Sequence, residues 1–69
     1  MIVINTPLKK EVFRKVAEQE GLVYLKTKGM KLYFKNTTEE DEKDFALKLK
    51  RIYKKNRELG AIYFSVGIE

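Results

Sequence analysis

The hydrophobic period of this chain switches between about two and about 3.6 residues in a fixed order, and that order limits the fold more than any single residue does. Residues 1–5 form a short β-branched run, followed by apolar side chains at Leu8, Val12, Phe13, Val16 and Ala17. Those three- and four-residue steps place one apolar stripe on a helix. Thr6-Pro7 ahead of the stripe offers an N-cap hydroxyl and a proline suited to a first helical residue, and Gly21 behind it offers a stop, which predicts a helix over residues 7–20. Residues 22–36 then alternate, interrupted at Lys28-Gly29, where glycine tolerates the positive φ of a hairpin turn. With those two residues as the loop, Thr27 pairs with Met30, Lys26 with Lys31, Leu25 with Leu32, Tyr24 with Tyr33 and Val23 with Phe34. Val23, Leu25, Met30, Leu32 and Phe34 then share one face, and Tyr24, Lys26, Lys31, Tyr33 and Lys35 share the other.

Thr37 and Glu40 have the spacing of a capping box. The stripe Phe45, Leu49, Ile52, Asn56 and Leu59 extends the second helix to Gly60, with Leu47 pointing away from it. Residues 61–68 alternate again, with Ile62, Phe64, Val66 and Ile68 on one side. The order β-α-β-β-α-β, with no linker or low-complexity tract, predicts a single α+β domain over residues 1–69. The expected fold is a ferredoxin-like two-layer sandwich, a four-stranded antiparallel sheet of order 4-1-3-2 with both helices on one face. The alternative is that the hairpin and outer strands pair between two chains.

Composition narrows the chemistry. The chain has 69 residues and no Cys, His or Trp, so disulfides, thiolate nucleophiles, the commonest acid–base group and the commonest metal ligands are missing. A chain this short buries only about 60% of the surface its unfolded form exposes, which leaves little room for an enclosed substrate pocket. Glu39, Glu40, Asp41, Glu42 and Asp44 form the one dense carboxylate cluster. Neighbouring residues on a helix fan out rather than converge on a cation, and complementarity with the helix dipole accounts for the cluster. No phosphate-binding glycine loop and no nucleophile with a base is present. The expectation is a non-enzymatic protein without metal or cofactor. No apolar run is longer than the four residues 1–4, too short for a membrane span or a signal-peptide core, so a cytoplasmic protein without membrane partners is expected.

The formal charge of +5, from 15 Lys/Arg and 10 Asp/Glu, is unevenly spread. In the 4-1-3-2 arrangement one end of the sheet collects Lys9 and Lys10, the hairpin lysines Lys26, Lys28 and Lys31, and Lys54, Lys55 and Arg57 from the end of the second helix. The other end collects the acidic cluster with Glu18, Glu20 and Glu69. The helix dipole explains much of the pattern on the second helix, and edge-strand protection explains Lys26 and Lys28. Neither explains Lys31 on an interior strand. The helix-free face should carry Tyr24, Tyr33 and Tyr63 interleaved with Lys26, Lys31 and Lys35, and single-stranded nucleic acid is held by such flat rings and cations.

This element order resembles, at fold level, that of RNA-recognition-motif domains, which read single strands on their sheet. Lys28-Gly29 matches the first two residues of that family's strand 3 motif. Met30 and Leu32 stand where its stacking aromatics would fall, and Val3 stands where strand 1 carries another, so no function is carried over. The residues themselves predict a small module for single-stranded RNA or DNA, with Tyr24, Tyr33 and Tyr63 as the platform. Lys26, Lys28, Lys31, Lys54, Lys55 and Arg57 would hold phosphates. The rival is a protein-interaction or homo-oligomerising regulatory or inhibitor module, in which a protein partner or a second copy covers the same open face.

Overall fold

The computed structural model describes all 69 residues. It contains β1 (Ile2–Asn5), α1 (Lys10–Gln19), β2 (Leu22–Lys28), β3 (Lys31–Asn36), α2 (Glu42–Lys55) and β4 (Ser65–Ile68). All pairings are antiparallel and the strand order is β2-β3-β1-β4. This is the predicted order read from the opposite edge.

One face of the sheet carries Ile2, Ile4, Leu22, Leu32 and Phe34, and both helices pack against it through Phe13 and Ala17 of α1 and Phe45, Leu49 and Tyr53 of α2. Where the helices meet, the rings of Phe13, Tyr53 and Phe64 contact one another at 4.6 to 5.5 Å between centroids, an arrangement that adds to their area burial. The Tyr53 hydroxyl donates to the carbonyl of Phe13 at 2.8 Å. Burial, with a smaller contribution from Glu20, holds that hydroxyl protonated well above the usual tyrosine range.

The helices are shorter than their stripes imply, because side chains compete for their ends. Thr6 is fully buried, and its hydroxyl donates to the carbonyl of Leu8 at 2.9 Å instead of capping. Lys9 takes a left-handed conformation, φ 54°, so α1 starts at Lys10. Ahead of α2, Asn36 rather than Thr37 organises the turn. Its Oδ1 accepts from the Thr38 amide and hydroxyl, and its Nδ2 donates to the Glu40 carbonyl, the local bonding typical of asparagine in turns. The N-cap falls on Asp41, which accepts from the Lys43 amide at 3.1 Å. At the other end Asn56 is extended and accepts from the amides of Glu58 and Leu59. That turn, not a further helical turn, carries Leu59 into the core. β4 likewise begins at Ser65 rather than residue 61, while Ile62 and Phe64 pack against the core from the preceding loop.

The hairpin register differs from the one alternation predicts. Gly29 has φ 62° and Met30 has no positive φ, so the loop is Gly29-Met30 with glycine at the first central position. A type II′ turn requires that placement, and a loop centred on Lys28-Gly29 would force a positive φ on lysine. Lys28 therefore pairs with Lys31, Thr27 with Leu32 and Lys26 with Tyr33. A β-bulge then takes Leu25 out of the ladder, and beyond it Tyr24 pairs with Phe34 and Val23 with Lys35. The extra residue exchanges the faces of the first half of β2. Leu22 becomes core, Val23 becomes exposed and Tyr24 turns to the helix side, its ring 5.8 Å from that of Phe34.

Candidate nucleic-acid interface

Antiparallel pairing fixes which residues gather at each end of the sheet. Asn5 lies opposite Lys31 on one side and Ser65 on the other, and the Thr6 amide bonds to the Met30 carbonyl at 2.9 Å. The entry to α1, the hairpin tip and the loop from α2 into β4 therefore share one end. That end holds Lys9, Lys10, Lys28, Lys54, Lys55 and Arg57, with Glu11 and Glu58 as its carboxylates. The opposite end holds Glu18, Glu20, Glu69 and the start of α2, where the N-terminal ammonium pairs with Glu42 at 3.1 Å.

Only one of the ion pairs reaches the basic end, where Lys31 lies opposite Asn5. The pairs join the N-terminus to Glu42, Arg14 to Glu18, Lys31 to Glu69 and Lys48 to Glu40. Lys9, Lys10, Lys28, Lys54, Lys55 and Arg57 have no carboxylate within salt-bridge distance. Beside them Tyr63 is 92% exposed, in the loop before β4. It borders a small cleft with Asn5, Pro7, Met30, Phe64 and Ser65. A free aromatic face at the same end of the sheet as uncompensated cations can stack a base while they hold phosphates of the same strand.

The three tyrosines expected to form a platform are dispersed. Tyr33 does lie on the helix-free face, next to Val3, yet it is only 7% exposed, and Lys26 sits 5.1 Å from its ring centroid. Tyr24 lies on the opposite face, with the Arg14 guanidinium 3.8 Å from its ring centroid and its hydroxyl 2.6 Å from that of Thr27. Tyr63 stands clear of the strands. Lys26 and Lys31 remain on the helix-free face, where Lys31 Nζ is 3.6 Å from Glu69. Lys28, Lys54, Lys55 and Arg57 stand at the basic end as expected from the topology.

Two contacts leave no trace in the sequence, Arg14 over Tyr24 and Glu69 reaching along the face to Lys31, since each joins residues whose alignment depends on the bulge or on where β4 starts. The acidic cluster brings no three carboxylates together in a metal-binding arrangement. No helix is long and apolar enough to cross a membrane. No protein-family model matches the chain, and no curated protein or solved structure is significantly similar to it.

Proposed function

We propose that this chain is a small nucleic-acid-binding module on a ferredoxin-like sandwich, taking single-stranded RNA or DNA along its basic end rather than across the open sheet. The observation that carries the reading is six cations without ion-pair partners at the same end of the sheet as the freely exposed Tyr63 ring. Lys9, Lys10, Lys28, Lys54, Lys55 and Arg57 neutralise phosphates, and Tyr63 stacks on one base. Lys26 and Lys31 contribute less, being engaged with Tyr33 and Glu69. Tyr24, on the helix side, takes no part.

The rival, a protein or second copy covering the open face, draws less support from the geometry. Val3 and Tyr33, its apolar centre, are already covered, and the Lys31–Glu69 pair would have to be desolvated beneath any partner. Fluorescence anisotropy of labelled oligo(dT) and oligo(U) with the intact chain at two ionic strengths tests the proposal. Binding that weakens steeply with salt is expected; absence of binding at low salt overturns it.

A further inference from the structure

The two edges of the sheet are not equally protected. On β2, Lys26, Lys28 and the bulge at Leu25 guard the outer ladder, as edge strands usually require. β4 has none of these devices, since Ser65, Val66, Gly67 and Ile68 include no charge, no proline and no bulge. Its hydrogen-bonding parity is fixed at one end. The Glu69 amide donates to the Met1 carbonyl and the Met1 ammonium donates to the Glu69 carbonyl, both at 2.9 Å. The next mutually bonded pairs are then Val3 with Gly67 and Asn5 with Ser65, so the amides and carbonyls of Val66 and Ile68 point out of the sheet.

The side chains of those same two residues line a groove of about 320 Å³ against α2. On the helix it is lined by Ala46 and Leu47, with Lys43 and Lys50. Leu47 is 57% and Ile68 42% exposed, and Leu47 is the apolar residue of α2 that lies off the core stripe. Lys43, Leu47 and Lys50 follow at i, i+4 and i+7, one row along the helix, and neither lysine has an ion-pair partner. Gly67 has no positive φ, and a Cβ there would meet nothing within 4 Å. The isolated chain thus has no steric use for it, whereas glycine within a strand often marks the approach of another backbone.

We propose that β4 is a docking edge for an extended peptide that adds as a fifth strand and presents acidic, apolar and acidic side chains in turn to the groove. Lys43 and Lys50 are separated by about 10 Å along the helix, and side chains four residues apart on a strand by about 13 Å, a difference that flexible lysine stems absorb. Carboxylates at the outer positions meet the two lysines while the central apolar residue covers Leu47. A second copy of this chain docked about a two-fold axis would instead set these lysines against their own counterparts. The inference does not depend on nucleic-acid binding at the basic end.

An amide-resolved NMR titration of the intact chain tests it, using the capped peptide Thr-Glu-Thr-Val-Thr-Glu-Thr and a counterpart with lysine for both glutamates, each to about 5 mM. The acidic peptide should shift the amides of Val66, Gly67 and Ile68 and slow hydrogen exchange at Val66 and Ile68, and the basic peptide should not. Lys43→Glu with Lys50→Glu should invert the preference by about tenfold. Ile68→Pro, which removes an outward amide and leaves the ladder to β1 intact, should abolish binding of the acidic peptide. No shift at residues 66–68, equal shifts with both peptides, or shifts confined to the basic end would overturn the proposal. So would protected Val66 and Ile68 amides in a peptide-free dimer, which assigns the edge to a second copy, or an oligonucleotide that occupies the groove.

Discussion

Replacing Lys54 and Lys55 by glutamine should change the salt dependence of oligonucleotide binding by an amount set by the charges at the basic end. Six unpaired cations gather there. If each neutralises one phosphate of a single strand, the slope of log K against log salt is about −4, and affinity falls roughly 300-fold between about 50 and 200 mM salt. Without Lys54 and Lys55 the slope is about −3 and the same change of salt lowers affinity only about 50-fold. Both lysines lie in the last turn of α2, where each also contributes about 0.3–1 kcal/mol through the helix dipole. Circular dichroism must therefore confirm that the variant is folded at the assay temperature. Lys43→Gln with Lys50→Gln removes the same net charge near the groove beside β4 and serves as the control. Anisotropy titrations at four salt concentrations give each slope. An equal reduction in both double variants would refute a localised interface and leave net charge as the cause; an unchanged slope in Lys54→Gln/Lys55→Gln would remove these residues from it.

Tyr63→Ala should weaken oligonucleotide binding by about 1–3 kcal/mol, the range for loss of one stacked base, with an unchanged thermal midpoint because the ring is almost wholly exposed; anisotropy and calorimetry read the two separately. Asp41→Ala should destabilise the fold by about 1 kcal/mol through loss of the α2 cap, and Thr37→Ala should have a smaller effect in urea unfolding, since Thr37 donates only to the exposed Gly21 carbonyl. Tyr53→Phe should cost about 1 kcal/mol at neutral pH, where its hydrogen bond is lost. Because the folded state holds the Tyr53 proton above its unfolded value, that stabilisation is complete below about pH 10 and declines by about 1.4 kcal/mol per unit above it. The gap between wild type and Tyr53→Phe should therefore close within about one unit above pH 10 and then reverse, and denaturant midpoints across that range check it.

The parts of the fold that were legible in the sequence are those set by periodicity over many residues. Phe13 and Ala17, Phe45 and Leu49, and Leu32 and Phe34 are core residues as their spacing predicts. What escaped depended on single side chains and single backbone angles. Asn36 and Asn56 capture amides at the two boundaries of α2, and either position is equally compatible with a longer apolar stripe. In β2 the run Leu22-Val23-Tyr24-Leu25 is apolar throughout, so alternation cannot say which residues face inward, and nothing in it marks Leu25 as the bulge. The signal that was available lay in the turn, where glycine at the first central position favours the loop Gly29-Met30.

This difference explains why the charges and the tyrosines of the candidate interface fared differently. A slip of one residue moves a side chain only about 3.3 Å along a strand but turns it to the other face. Membership of an end of the sheet is thus insensitive to register, and Lys28, Lys54, Lys55 and Arg57 gather where topology alone puts them. Membership of a face is decided by each bulge and each strand start. One bulge sends Tyr24 beneath Arg14, and a later start to β4 releases Tyr63 into a loop beside Pro7 and Met30. The second displacement carries one ring from the sheet to the end where the cations are, while Tyr33 stays on the open face and Tyr24 on the helix side, so of the expected platform only Tyr63 joins the basic end.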